Sequence, residues 1–154
     1  MPDLQETGPM SKNAPAPIPV TRCDHIALAV PSLDDAIALL TSRYGITVGE
    51  PKEVSDQGVR IAYADLGNIQ LELMEPMAAD SPVQGFLAKR PLGGLHHICL
   101  STADADQAHA DFLSTGGTPL GTPRPGHHGR KLFFLSPKDN CGALIEIENE
   151  DAGA

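Results

Sequence analysis

The chain has 154 residues, 41% of them hydrophobic, with four Phe, two Tyr and no Trp, a length that suits one compact domain or two small, tightly packed ones. Twenty acidic residues against 11 basic ones give a formal charge of −9, which disfavours nucleic acid as a partner because binding its backbone needs clustered Lys and Arg. No apolar run approaches the ~20 residues of a membrane span, so no membrane partner is expected either. Three cysteines, Cys23, Cys99 and Cys141, have neither CxxC spacing nor an even count, a usage that points to a reducing, cytoplasmic setting.

Residues 1–22 read as a disordered tail, with Pro9, Pro15, Pro17 and Pro19 and little hydrophobic patterning. The tail lacks an apolar h-region and is not Arg-rich, so neither a signal nor a transit peptide is expected, and Met10 is an alternative start to Met1. A strand is predicted over 24–30, with His25, Ala27 and Ala29 on one face and Ile26, Leu28 and Val30 on the other. Pro31 ends it, and Ser32 or Asp34 caps a helix that runs to about Ser42 and stops at Gly45. Strands follow near 46–54, 58–66 and 69–75, the last two joined by a tight turn at Gly67-Asn68. A connector at 76–94 holds a short helix from Ser81-Pro82 to Lys89. Beyond it come a strand over 96–102, a helix over 104–115, and strands near 118–122, 130–135 and 142–148. Cys99 falls inside a strand and reads as a small core residue or pocket liner. The loop 123–129 carries Arg124, His127 and His128 and reads as a flexible lid or a substrate contact.

The order β-α-β-β-β therefore occurs twice, and the two copies align. Overlaying Asp24–Val30 on His96–Thr102 puts His25 on His97 and, further on, Ala36 on Ala108, an offset of 72 residues. One such module has too little structure to cover both faces of its sheet. The expected fold is α+β: paired βαβββ modules, about 24–75 and 95–148, form one curved eight-stranded mixed sheet. It makes a single domain over 23–150 with a metal-binding cleft on its concave face and helices outside.

Two glutamates complete the pattern. Glu72 shares a strand face with Gln70 and Met74, opposite Leu71 and Leu73, while Glu146 shares one with Leu144 and Glu148, opposite Ile145 and Ile147. With the Leu and Ile faces packed under the helices, His25, Glu72, His97 and Glu146 point into the cleft. Two imidazoles and two carboxylates suit a divalent transition metal with positions left open for ligand or water. Gln70, Glu75, Glu148 and Glu150 read as ordinary polar surface. His96 alternates with His97 and reads as a structural or edge residue on the other face.

On these residues the chain resembles the vicinal oxygen chelate superfamily, and within it the methylmalonyl-CoA epimerases. The matching stretches are DHIALAVPSLDDAIALL, DQGVRIAYADLGNIQLELMEP, DSPVQGFLAKR, GGLHHICLSTAD and PRPGHHGRKLFFLSPKDNCGALIEIE, nearly everything from Asp24 to Glu148. The resemblance implies that His25, Glu72, His97 and Glu146 are the metal ligands and that Glu146 also takes part in proton transfer. It implies Co2+, or Zn2+, Mn2+, Ni2+ or Mg2+ in its place, and a homodimer. Some members carry a second acid–base Glu where this chain has Ile61. The family's frequent His-Pro-Lys is Ser136-Pro137-Lys138 here.

The implied activity is epimerisation of (2R)- and (2S)-methylmalonyl-CoA, with a proton leaving C2 of the thioester to give an enolate and returning on the opposite face. The group on that face is left open between Glu72, a metal-bound water and a water chain. Gln57, Arg124, Arg130, Lys131, Ser136 and Lys138 are the expected contacts of the acyl-CoA, the basic ones meeting its phosphates. Alternatives are an epimerase of a longer thioester such as ethylmalonyl-CoA, a glyoxalase-like lyase or isomerase, and a non-enzymatic small-molecule binding protein.

Overall fold

The computed structural model describes residues 17–151; the expected tail and alternative start lie outside the described residues as far as residue 16. Its elements, in chain order, are β1 (Val20–Ala29), α1 (Leu33–Tyr44), β2 (Lys52–Val54), β3 (Val59–Asp65), β4 (Gln70–Pro76) and α2 (Pro82–Lys89), then β5 (Gly94–Thr102), α3 (Ala105–Ser114), β6 (Pro119–Pro125), β7 (Lys131–Leu135), a 3-10 turn (Pro137–Asp139) and β8 (Ile145–Asn149). All eight strands join one sheet in the order β2-β3-β4-β1-β5-β8-β7-β6. Each module lays its first strand parallel to its fourth, β1 on β4 and β5 on β8, and the modules meet where β1 runs antiparallel to β5. The expected α+β architecture of paired modules is the one observed.

Local chemistry sets the helix ends. The Ser32 hydroxyl accepts from the Asp35 N–H at 3.2 Å, and Asp104 caps α3 by accepting from the Asp106 and Gln107 N–H groups. Gly45 closes α1 in the left-handed conformation at φ 66°, where a side chain would be strained. On the outer face, α1 packs Ala36, Ile37 and Leu40 around Leu33, Ala62 and Leu73. α3 sets Ala105 and Ala108 against Phe133, Leu135 and Ile147. A fully buried side chain such as Phe133 contributes about 1.5–3 kcal/mol by leaving water.

Several boundaries differ from expectation. β1 starts at Val20, inside the expected tail, because the Thr21 hydroxyl donates to the Ser101 carbonyl and Thr102 donates to that of Pro19. The strand expected over 46–54 forms only after Pro51, which has no N–H to give a ladder. β6 runs through Pro125, so the loop expected over 123–129 shortens to a tight hairpin turn, closed by the Gly126 N–H on the Arg130 carbonyl and the Gly129 N–H on the Gly126 carbonyl. The helices do not all lie outside: α2 buries Val83 and Leu87 against Ala27, Ala29, Ile61 and Met74, on the sheet face that carries His25. Among the described residues, no helix is long and apolar enough to cross a membrane.

Candidate metal centre and substrate cleft

Strand register gathers the four expected ligands. Ala27 stands opposite His97 across the β1–β5 seam and beside Glu72 across β1–β4, while Cys99 stands opposite His25 and beside Glu146. Laterally paired residues share a face, as do alternate residues on a strand. All four side chains therefore project from one face, and in each module the Glu lies beside the residue two after the His.

They converge. His25 Nε2 lies 3.3 Å from His97 Nε2 and 3.3 Å from Glu72 Oε2, and His97 Nε2 lies 2.9 Å from Glu146 Oε2 and 3.8 Å from Glu72 Oε2. His25, His97 and Glu146 offer ligand atoms all within 4.8 Å of one another. Exposure of His25, Glu72, His97 and Glu146 is 3, 6, 4 and 5%, so two carboxylates are held out of water. Two Nε2 atoms facing each other cannot both carry hydrogens between them. A divalent ion takes both lone pairs and balances both carboxylates, so the donor set fits such a metal.

A surrounding layer of polar side chains contacts these four residues. Asp24 Oδ2 lies 3.1 Å from His25 Nδ1, and the Tyr63 hydroxyl donates to Glu72 Oε1 at 2.7 Å. His96 Nδ1 lies 2.9 Å from His97 Nδ1, and its ring meets Phe86 edge-on. In the tautomer that frees His97 Nε2 for a metal, His97 Nδ1–H donates to His96. His96 is thus a structural residue, as expected, but it lines the cleft instead of leaving it.

Charge is distributed accordingly. Burial disfavours the His25 imidazolium, but the Asp24 and Glu72 carboxylates outweigh it and raise its pKa to about 10. Burial pushes the Glu72 carboxyl up, and His25, His97 and Tyr63 outweigh that to hold it below the usual range. Burial and then Glu72 raise the Tyr63 phenol, while burial and then His97 push His96 down to about 4.

The ligands sit in a cavity of about 970 Å³ that Met74, Val83, Phe134 and Leu144 also line. Gln57 and Arg124 line it as well. Arg130 instead turns inward, with Nη1 at 3.0 Å from Glu148 Oε1 and 3.6 Å from Asp24 Oδ1. Lys131 pairs with Asp106 of α3, and the Ser136 hydroxyl accepts from the Lys138 N–H in the 3-10 turn. Neither these three nor Arg130 is among the residues lining that cavity.

Sequence reasoning missed Asp24, Tyr63 and Glu148. Asp24 is legible afterwards as the neighbour of a ligand, and Tyr63 as the residue paired in register with Glu72. Glu148 is 0% exposed and not ordinary surface: His128 Nε2 lies 3.0 Å from its Oε2, and Arg130 takes its other oxygen. It ties the β6–β7 turn to β8. Cys99, also fully buried, is the core residue expected.

The sequence model of the Glyoxalase/Bleomycin resistance protein/Dioxygenase superfamily matches residues 24–134. The ethylmalonyl-CoA/methylmalonyl-CoA epimerase of Cereibacter sphaeroides is 40% identical over 131 residues, covering 84% of this chain and 98% of the relative. A solved methylmalonyl-CoA epimerase in complex with methylmalonyl-CoA and NH4+ superposes with a TM-score of 0.77 at 38% identity, over 86% of this chain and 96% of that one. A Streptomyces coelicolor methylmalonyl-CoA epimerase variant holding 2-nitronate-propionyl-CoA gives 0.77 at 36% identity, over 86% and 99%.

Proposed function

The chain belongs to the Glyoxalase/Bleomycin resistance protein/Dioxygenase superfamily, and from that membership we propose that it is a metal-dependent epimerase interconverting (2R)- and (2S)-methylmalonyl-CoA by proton transfer at C2. The observation that carries this reading is the buried pair of imidazoles and pair of carboxylates lining a cavity of about 970 Å³. The relatives named for such thioesters support it.

His25, Glu72, His97 and Glu146 hold the metal in this reading. When bound, the divalent ion supplies Lewis-acid polarisation of the thioester carbonyl. Glu146 moves the C2 proton: a carboxylate oxygen takes it from one face of the carbon, leaving an enolate, and returns it in the reverse direction. Ligation lowers the basicity of this carboxylate, and its fixed position beside the substrate offsets the loss. Phe134 and Leu144 exclude water from the reacting carbon. Gln57 and Arg124 contact the thioester arm, and Arg124 has the charge to meet a phosphate.

The working unit is the paired-module domain of about residues 23–150, acting as a homodimer in the cytoplasm. Free Cys23, Cys99 and Cys141 agree with a reducing compartment. A second substrate, ethylmalonyl-CoA, is supported by the Cereibacter relative named for both thioesters.

The test is C2 exchange. Cobalt-loaded protein is incubated with each methylmalonyl-CoA epimer in D2O, and deuterium uptake and interconversion are followed by NMR. Uptake with interconversion is expected; its absence with both methylmalonyl- and ethylmalonyl-CoA overturns the reading.

A further inference from the structure

Epimerisation needs a second proton-carrying group, on the face of C2 away from Glu146. Ile61 does not supply it: its side chain is 2% exposed, packed with Val59, Met74 and Val83. Most other titratable groups close to the ligand cluster are engaged elsewhere. Glu72 Oε2 contacts both ligand imidazoles while its Oε1 accepts from Tyr63, His96 holds His97 Nδ1, and His128 is tied to Glu148.

His127 differs. It lines the same cavity, and its Nε2 lies 3.3 Å from the Tyr63 hydroxyl, 64 residues away. Its ring stacks on that of Tyr63 at 6.2 Å and 19°. The Tyr63 hydroxyl donates to Glu72, so its oxygen is left to accept from His127 Nε2–H. Glu148 fixes the other side of the turn through His128 and Arg130. His127 thus reaches from the second module to the β3–β4 side of the ligand cluster, whereas Glu146 meets the cluster on the β5–β8 side through His97. His127 is exposed as a residue, so its proton exchanges with solvent between turnovers.

We propose that His127 is the second catalytic proton carrier, opposite Glu146, on the strength of its place in the cavity across the ligand cluster. The inference rests on the epimerase reading above. In one direction the C2–H bond breaks toward a Glu146 oxygen, giving a carboxylic acid and an enolate. The His127 imidazolium, its Nε2–H held by Tyr63, then delivers its Nδ1 proton to the other face of C2 and becomes neutral. In the reverse direction neutral His127 takes the proton and the Glu146 acid returns one. No oxidant or co-reactant enters, and solvent resets both groups. Tyr63 acts as a positioning residue for His127.

The experiment separates this inference from the reading it rests on. Wild-type protein and H127A, both cobalt-loaded, are given each epimer separately in D2O. Wild type should exchange C2 hydrogen from both epimers and interconvert them; failure of wild type on both sinks the epimerase reading itself. In H127A, interconversion and exchange from one epimer should fall about 100-fold or more. Exchange from the other epimer, through Glu146, should stay within about threefold of wild type. Added imidazole should restore part of the lost interconversion. Interconversion by H127A near the wild-type rate overturns the proposal and leaves the reading standing. Equal loss of exchange from both epimers, at wild-type cobalt content, also overturns it, because that is a structural effect. Should H127A lose cobalt, H127Q carries the same test, and loss of cobalt in both variants assigns His127 a structural role and rejects the proposal.

Discussion

His25 and His97 are 72 residues apart in the chain, and their Nε2 atoms lie 3.3 Å apart on the cleft face of the β1–β5 seam. Each stands at the same point of its module, two residues before the one that pairs with the module's glutamate. The site is split evenly across an internal repeat, so neither module holds it alone.

Single substitutions should divide the ligands from their supports. His25→Ala and His97→Ala should each lose most bound metal. Asp24→Asn keeps all four ligands but weakens the acceptor on His25 Nδ1, and should reduce metal affinity by about 10–100-fold. Metal analysis and competition with a chelator read both effects, and full occupancy in either His variant would remove that residue from the ligand set.

Proton and metal compete for His25. Its folded pKa of about 10 lies above the ordinary value of 6.5, so in metal-free protein the charge pairing with Asp24 and Glu72 stabilises the fold fully below about pH 6.5 and is lost as pH rises through about 10. The melting temperature of metal-free protein should fall over that window, and His25→Gln should flatten the fall. Metal binding must displace the proton, so affinity should rise about tenfold per pH unit below 10 for one proton released. A pH-independent affinity between 7 and 9 would contradict this assignment.

Glu146→Gln keeps an oxygen donor while removing the base. Cobalt content should be largely retained, and C2 exchange should drop by about 100- to 10,000-fold. Unchanged exchange in metal-loaded Glu146→Gln would assign the base elsewhere.

Removing Glu148 should act through stability first. Its fully buried carboxylate offsets Arg130, whose side chain is 18% exposed, and Glu148→Ala leaves that cation without its innermost partner. Denaturant unfolding should register a loss of about 3–5 kcal/mol. A loss below about 1 kcal/mol would place the pair among surface ion pairs.

The repeat and the shared face of the four candidate ligands were legible because they depend on period and offset: alternation assigns a face, and two copies of one pattern assign equivalent places. Gly67-Asn68 and Ser32 were legible because turn and cap chemistry is local. Glu148 was not. Its neighbours in sequence match those of any half-exposed strand acid, and its burial comes from His128 and Arg130 arriving on the β6–β7 turn. The ion pair of Arg130 was not legible for the same reason, since a charged loop residue shows nothing of the buried carboxylate it faces.

By itself, then, the sequence determined the two modules, the face on which His25, Glu72, His97 and Glu146 lie and the residues able to bind a metal, because side-chain periodicity and residue chemistry are properties of short segments. Only the tertiary structure decided that α2 packs on the sheet face that carries His25, that Asp24, Tyr63 and His96 contact the candidate ligands, and that His127 reaches Tyr63. Those are distances across strands and between modules, set by sheet register and by which segments pack over the cleft, and no local pattern in the chain encodes them.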